Sequence, residues 1–241
     1  MVRNDYLYCI VMLARNDYFG GSILQIAVIL AGCGRMDGSE IHESVLTLLS
    51  IKQNQAAYQC FSLNVPQEHV TNHLTGESVA SETRNMLIES ARIARGDVKP
   101  LEELNVADFD ALIIPGGNGV AYNLFDLALK GKDYTVNPLV KQKCLEFTKN
   151  NRPVGFICIA PAMIPGIYGP GVELTIGNDA ETNKLLTSLG AKCFDCAVDE
   201  IHIDKTHKIV TTPAYMLAKN IGEAYLGIRR LVDHIVYLVR G

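Results

Sequence analysis

The apolar run Pro153-Val-Gly-Phe-Ile-Cys158 ends on a thiol and passes directly into Ile159-Ala-Pro161, a sequence that suits the opening of a helix. A cysteine at that handover occupies the nucleophile position of G-x-S-x-G hydrolases, with sulfur in place of oxygen. The partial positive charge of a helix N-terminus lowers a thiol pKa and favours the thiolate. The bland alternative is an inert cysteine buried at the end of a strand, and spacing alone leaves both open. A second apolar run, Asp110 to Ile114, leads into Pro115-Gly-Gly-Asn-Gly119. Residues without side chains let backbone N–H groups face a pocket, where they can hold a developing oxyanion, or they make no more than a turn.

A third loop, Gly32-Cys-Gly-Arg-Met-Asp-Gly38, lies between the β-branched run Gln25–Ala31 and a helix. Its spacing is G-x-G-x-x-x-G, with Asp37 where a dinucleotide fingerprint needs its third glycine. The next strand ends at Leu63-Asn64, without the acidic residue that holds a ribose. We read it as a tight turn that aims the following helix. That helix opens at Ser39 and carries Glu40, His42 and Glu43 in its first turn, beside the same cleft. Its residues Ile41, Val45, Leu48 and Leu49 share a face. Glu40 and Glu43 suit the helix dipole. If one of them reaches Cys158 it must be partly protonated, because two adjacent anions are unfavourable. His42 joins the candidate substrate-binding set. None of the six histidines adjoins Cys158, so a local Cys-His dyad is absent.

Further strands are expected at 58–63, 201–204 and 208–211, and helices at 81–95 (capped by Ser81, closed by Gly96), 137–150, 179–189 and 221–240. Nearly continuous apolar strands alternating with helices predict one α/β domain of three layers, a parallel sheet covered on both faces. The active site of such a sheet lies beyond the carboxyl ends of its strands, where all three loops fall.

The 241 residues carry 22 Lys and Arg against 26 Asp and Glu, a net charge of −4. This charge offers no general attraction for nucleic acid or an anionic membrane. No apolar run approaches the ~20 residues that span a bilayer. Hydrophobic residues at 48% and charged residues at 20% exclude disorder as the main state. The seven cysteines are scattered and odd in number, as expected of a reducing cytosol. No metal site or cofactor is expected, and Cys193-x-x-Cys196 is read as structural. Residues 1–24 are read as a packed extension at a subunit contact, not a signal peptide, with an apolar stretch from Tyr6 to Ala14 that buries surface.

Taken together, Gly32-Cys-Gly34, Asp37-Gly-Ser-Glu-Ile-His-Glu43, Asn72-His-Leu-Thr-Gly-Glu77, Glu82-Thr-Arg-Asn85, Pro115-Gly-Gly117, Gly155 to Met163, Leu174-Thr-Ile-Gly177 and Ile209 to Ala218 resemble the ElbB family. This is the isoprenoid-biosynthesis branch of the PfpI-type, class I glutamine-amidotransferase-like superfamily. The resemblance spans about residues 25–240, so 25–241 is taken as one amidotransferase-like domain and 1–24 as an extension outside it. It implies a flavodoxin-like, mostly parallel α/β sandwich, a cytoplasmic setting and a homodimer. It places the nucleophile at Cys158, its acidic partner at Glu43 (or Glu40, one turn earlier), and the oxyanion donors on Gly116, Gly117 and Ile159. Ile159 stands where many superfamily members have a histidine directly after the cysteine, and no late His-x-Glu supplies an amidotransferase triad. The expected activity is a cofactor-independent glyoxalase acting on a small aldehyde. The alternatives are a non-catalytic regulatory or stress-response binding module, and an amidotransferase or hydrolase that needs a partner.

Overall fold

The computed structural model describes residues 23–241. Of the expected extension, 1–24, residues 1–22 lie outside the described residues, and with them the apolar stretch Tyr6 to Ala14. Strands β1 (Gln25–Leu30), β2 (Ala57–Ser62), β3 (Val98–Pro100), β4 (Ala111–Ile114), β5 (Val154–Ile157), β8 (His202–Asp204) and β9 (Ile209–Thr212) form one sheet in the order β3-β2-β1-β4-β5-β9-β8. All its pairs are parallel except β8 with β9. A two-residue pair, β6 (Glu173–Leu174) and β7 (Lys192–Cys193), stands apart. The helices are α1 (Ile41–Gln53), α2 (Met86–Ile93), α3 (Val120–Asn123), α4 (Leu127–Lys130), α5 (Pro138–Lys149), α6 (Ile164–Tyr168), α7 (Ala180–Ser188) and α8 (Ile221–Arg240).

The period-2 geometry of β1 sends its side chains to opposite layers. Ile26, Val28 and Leu30 pack with Leu46, Leu48 and Ile51 of α1 and with Ile228, Leu231, Val232 and Ile235 of α8. Ala27 and Ile29 pack on the other face with Val140, Cys144 and Phe147 of α5. This is the three-layer, mostly parallel α/β arrangement that the sequence predicted.

Local details differ from the expectation. Helix α2 starts at Met86, not near Ser81, because the Asn85 side chain accepts the Ile88 N–H at 3.1 Å. The residues just before it pair with the chain leaving β2, with Gln67 N–H on the Arg84 carbonyl at 2.8 Å. Ser39 does not cap α1. Its hydroxyl accepts the Ala31 N–H at 2.8 Å, and Glu40 is the cap. The face of α1 carrying Ile41, Val45 and Leu49 points outward, each residue more than 40% exposed. The inward face mixes Leu46, Leu48 and Ile51 with Ser44 and Thr47, whose hydroxyls bond back to the Glu40 and Glu43 carbonyls at 2.7 Å. Strands β3, β6 and β7 are too short to show a period in the sequence.

Candidate functional site

Cys158 follows β5 with φ at +62°, in the left-handed region that a residue with a side chain rarely adopts. The conformation is held on the next strand, where the Cys158 N–H donates to the Thr212 carbonyl at 2.9 Å. It turns the sulfur away from the strand direction and toward α1, and the residue is only 7% exposed.

Glu43 is the side chain that meets this sulfur, and the two share a hydrogen bond. Glu43 is fully buried. Each of its oxygens is gripped by one backbone donor, Gly116 N–H on Oε2 at 3.0 Å and Tyr215 N–H on Oε1 at 3.1 Å. Glu40 serves elsewhere, its Oε2 accepting the Glu43 N–H at 2.7 Å as the cap of α1. Of the two carboxylates considered, Glu43 is therefore the one placed at the cysteine.

The glycines explain how three loops converge. A Cβ on Gly116 would lie 2.5 Å from the Cys158 Cβ, 2.7 Å from Glu43 Oε2 and 2.8 Å from the Ile157 carbonyl oxygen. Only glycine lets the β4 loop pass between the thiol and the acid. We expect Gly116→Ala to push this pair apart and to destabilise the chain by about 2–3 kcal/mol, the range for overpacking a filled site. Urea unfolding measures the stability, and loss of selective Cys158 alkylation reports the displaced pair.

Gly117 and Ile159 each direct a backbone N–H at the Cys158 sulfur. They favour the thiolate, but burial and the neighbouring Glu43 outweigh them, and the thiol pKa is raised well above its ordinary value. The expected thiolate at a helix N-terminus is thus corrected. The turn after Cys158 is a 3-10 segment, Ala160–Met163, followed by only five residues of α6. So short an element carries little macrodipole. Burial first, and then Glu40, lifts Glu43 to about 8 against the opposing backbone donors. The pair therefore rests mainly as thiol and carboxylic acid at neutral pH, the compromise required of two acids side by side.

His42 is exposed, and its Nδ1 lies 2.8 Å from the Tyr215 hydroxyl. Tyr215 escaped the sequence reading. It lies in the Ile209–Ala218 segment that carries the family resemblance, in a turn directly after an apolar strand, but nothing in the sequence shows that β9 lies beside β5. The Gly32–Gly38 loop behaves as a turn. The N–H groups of Gly32, Gly34, Met36 and Gly38 are all used inside the protein, on Ser90, Ser39, His73 and Gly34 respectively. Buried Asp37 pins the loop by accepting the Thr71 N–H at 2.8 Å. Among the described residues no group of three or more His, Cys, Asp or Glu is arranged to hold a metal ion. No helix among them is long and apolar enough to cross a membrane.

Known proteins resemble this chain over most of its length. A rat protein named "ES1 protein homolog, mitochondrial" is 40% identical over 223 residues, covering 89% of this chain and 84% of its own. A human protein named "Glutamine amidotransferase-like class 1 domain-containing protein 3, mitochondrial" is equally similar, with 83% of its length covered. The chain belongs to this family of ES1, glutamine amidotransferase-like class 1 domain proteins. A crystal structure of an isoprenoid biosynthesis protein with amidotransferase-like domain from Ehrlichia chaffeensis superposes with a TM-score of 0.82 at 38% identity, over 89% of this chain and 99% of that one. The ElbB resemblance fits these relatives. Structures of the DJ-1 type, below 20% identity, share the fold alone. No family model matches the chain. The cytoplasmic expectation does not stand, since the rat and human family members are both named mitochondrial. Free thiols mark a reducing compartment and do not distinguish the cytosol from the mitochondrial matrix.

Proposed function

We propose that the chain is a cofactor-independent glyoxalase-type enzyme that converts methylglyoxal or glyoxal to lactate or glycolate. The observation that supports this reading is Glu43, a buried acid facing the Cys158 sulfur with its pKa lifted to about 8. That is the range in which one group can both take and return a proton near neutral pH.

In the singly ionised pair, Glu43 accepts the thiol proton as sulfur bonds to the aldehyde carbon. The oxygen of that carbon, held by the backbone donors around Cys158, takes the proton back to give a hemithioacetal. Glu43 then removes the hydrogen on the same carbon and returns it to the neighbouring one. The hydroxyl proton passes to the neighbouring carbonyl oxygen, so the hemithioacetal carbon becomes a thioester and the ketone (or second aldehyde) becomes an alcohol. Water cleaves the thioester, releasing the hydroxy acid and restoring the thiol, so methylglyoxal plus water yields lactic acid with no net redox change. The sequence supplies no amidotransferase triad, which argues against glutamine as substrate.

We also propose a homodimer, supported by the exposed row Ile41, Val45 and Leu49, and a place in isoprenoid metabolism, which rests on the name of the Ehrlichia relative.

The test is purified protein incubated with methylglyoxal without added thiol, beside a parallel incubation with glutamine. We expect lactate from the first and no ammonia from the second. The lactate rate should rise with pH through about 8 as Glu43 ionises. Ammonia from glutamine would favour the amidotransferase alternative, and no turnover of either would favour a binding module.

A further inference from the structure

Two backbone donors of unequal security favour the ionised form of Glu43 against its burial. Gly116 is locked between Cys158 and Glu43 by close packing on three sides. The second donor, Tyr215, lies in the 3-10 turn Ala214–Met216, directly after Ala214, whose φ is +42°. A left-handed, non-glycine residue is strained, and the turn stays in place only if its surroundings over-determine it. Two contacts reach from Tyr215 to consecutive residues of α1. Its N–H holds Glu43 Oε1 at 3.1 Å, and its hydroxyl lies 2.8 Å from His42 Nδ1. The two rings are tilted 43° to each other, with centroids 5.8 Å apart.

We infer that the His42–Tyr215 bond is a clamp that keeps the second backbone donor on Glu43 and so sets the pH at which the Cys158–Glu43 pair ionises. His42 and Tyr215 are positioning residues on this account. The inference rests on the reading of Cys158 and Glu43 as the reacting pair, but not on any particular substrate. The other ionisable groups around Glu43 are Cys158 at the end of β5 and Glu40 on its own helix. An N–H directed at a carboxylate stabilises the ionised form. Slackening it therefore keeps Glu43 protonated to higher pH, while the thiol, with less negative charge beside it, is not held back.

The experiment is the pH midpoint of the infrared carbonyl band of protonated Glu43 on the full chain, taken as the difference from the same chain carrying Glu43→Gln. It compares wild type, His42→Phe, Tyr215→Phe, the double variant and His42→Asn. Asparagine keeps a polar atom near the position of Nδ1 and serves as the rescue. Thermal melts confirm that each chain is folded at the measuring temperature. Slackening, without losing, one hydrogen bond to a charged group predicts that each phenylalanine variant shifts the midpoint upward by about 0.5–1 pH unit. The double variant should shift no further than either single one, and His42→Asn should lie near wild type. A role in folding alone would change the melts and leave the midpoint in place. Unmoved midpoints, or shifts that add in the double variant, overturn the clamp while leaving the reacting pair intact. A wild-type chain with no protonated Glu43 at pH 7 overturns the pair and the clamp together.

Discussion

We expect Cys158→Ala to abolish the proposed lactate formation from methylglyoxal, a loss on the order of 10^4-fold or more, as when a covalent nucleophile is removed. Its stability changes little by comparison. Alanine inherits the +62° backbone angle, so strain is neither added nor released. The Gly117 and Ile159 N–H groups lose a weak sulfur acceptor, and Glu43 loses the thiol beside it. The first effect costs about 1 kcal/mol and the second partly offsets it. Cys158→Ser separates chemistry from packing further, because the hydroxyl keeps the hydrogen bonds and lacks the reactivity of the thiol. Lactate yield and a urea unfolding curve for both variants check this. An alanine variant that still makes lactate would remove Cys158 as the nucleophile.

The second large effect concerns Glu43→Gln. A carboxylic acid can accept an N–H on each oxygen even when protonated, because the protonated oxygen keeps a lone pair. Glutamine cannot, since its NH2 must face either Gly116 N–H or Tyr215 N–H. That mismatch costs about 1–3 kcal/mol. The wild-type chain carries a different liability. Its Glu43 pKa is raised from 4.5 to about 8 by burial, so the folded state holds this proton more tightly than the unfolded one. The associated stability is complete below about pH 4.5 and declines as pH rises, to be gone above about 8. Its full size is at most about 5 kcal/mol. Glutamine has no such dependence. The variant should therefore be less stable than wild type at pH 5, and the gap should close or reverse by pH 9. Turnover should fall by about 10^2 to 10^4-fold at every pH, the usual worth of a general acid–base group. Urea midpoints at the two pH values and lactate rates check both halves. Stability curves that stay parallel across this range would mean that Glu43 is ionised in the folded chain.

The large elements were legible because their physics is local. The β-branched runs of β1, β4, β5 and β9 bury both faces, and the long apolar stripe of α8 has one periodic solution. The Cys158 elbow was legible for the same reason, as a strand, a thiol and a Pro-containing helical turn in immediate succession. What the sequence could not show depends on strand order and on competing partners. Tyr215 reaches Glu43 only because β9 inserts next to β5, a neighbour relation that chain order does not reveal. Glu40 and Glu43 were indistinguishable as residue types, and the N-cap hydrogen bond divides their roles. Ser39 and Ser81 each looked like a helix cap, but tertiary bonds claimed the first and the segment around the second. The outward row of α1 reads as a core stripe until the inward hydroxyls are seen bonding to their own helix.

At physiological pH Glu43 is expected to face Cys158 as a neutral acid. The most direct measurement is the infrared carbonyl band of a protonated carboxylic acid at pH 7, taken as the difference between wild type and Glu43→Gln. The predicted result is one such band in the wild-type chain, absent from the variant and lost as pH is raised through about 8. No band at pH 7, or one that disappears below about pH 6, would contradict the account.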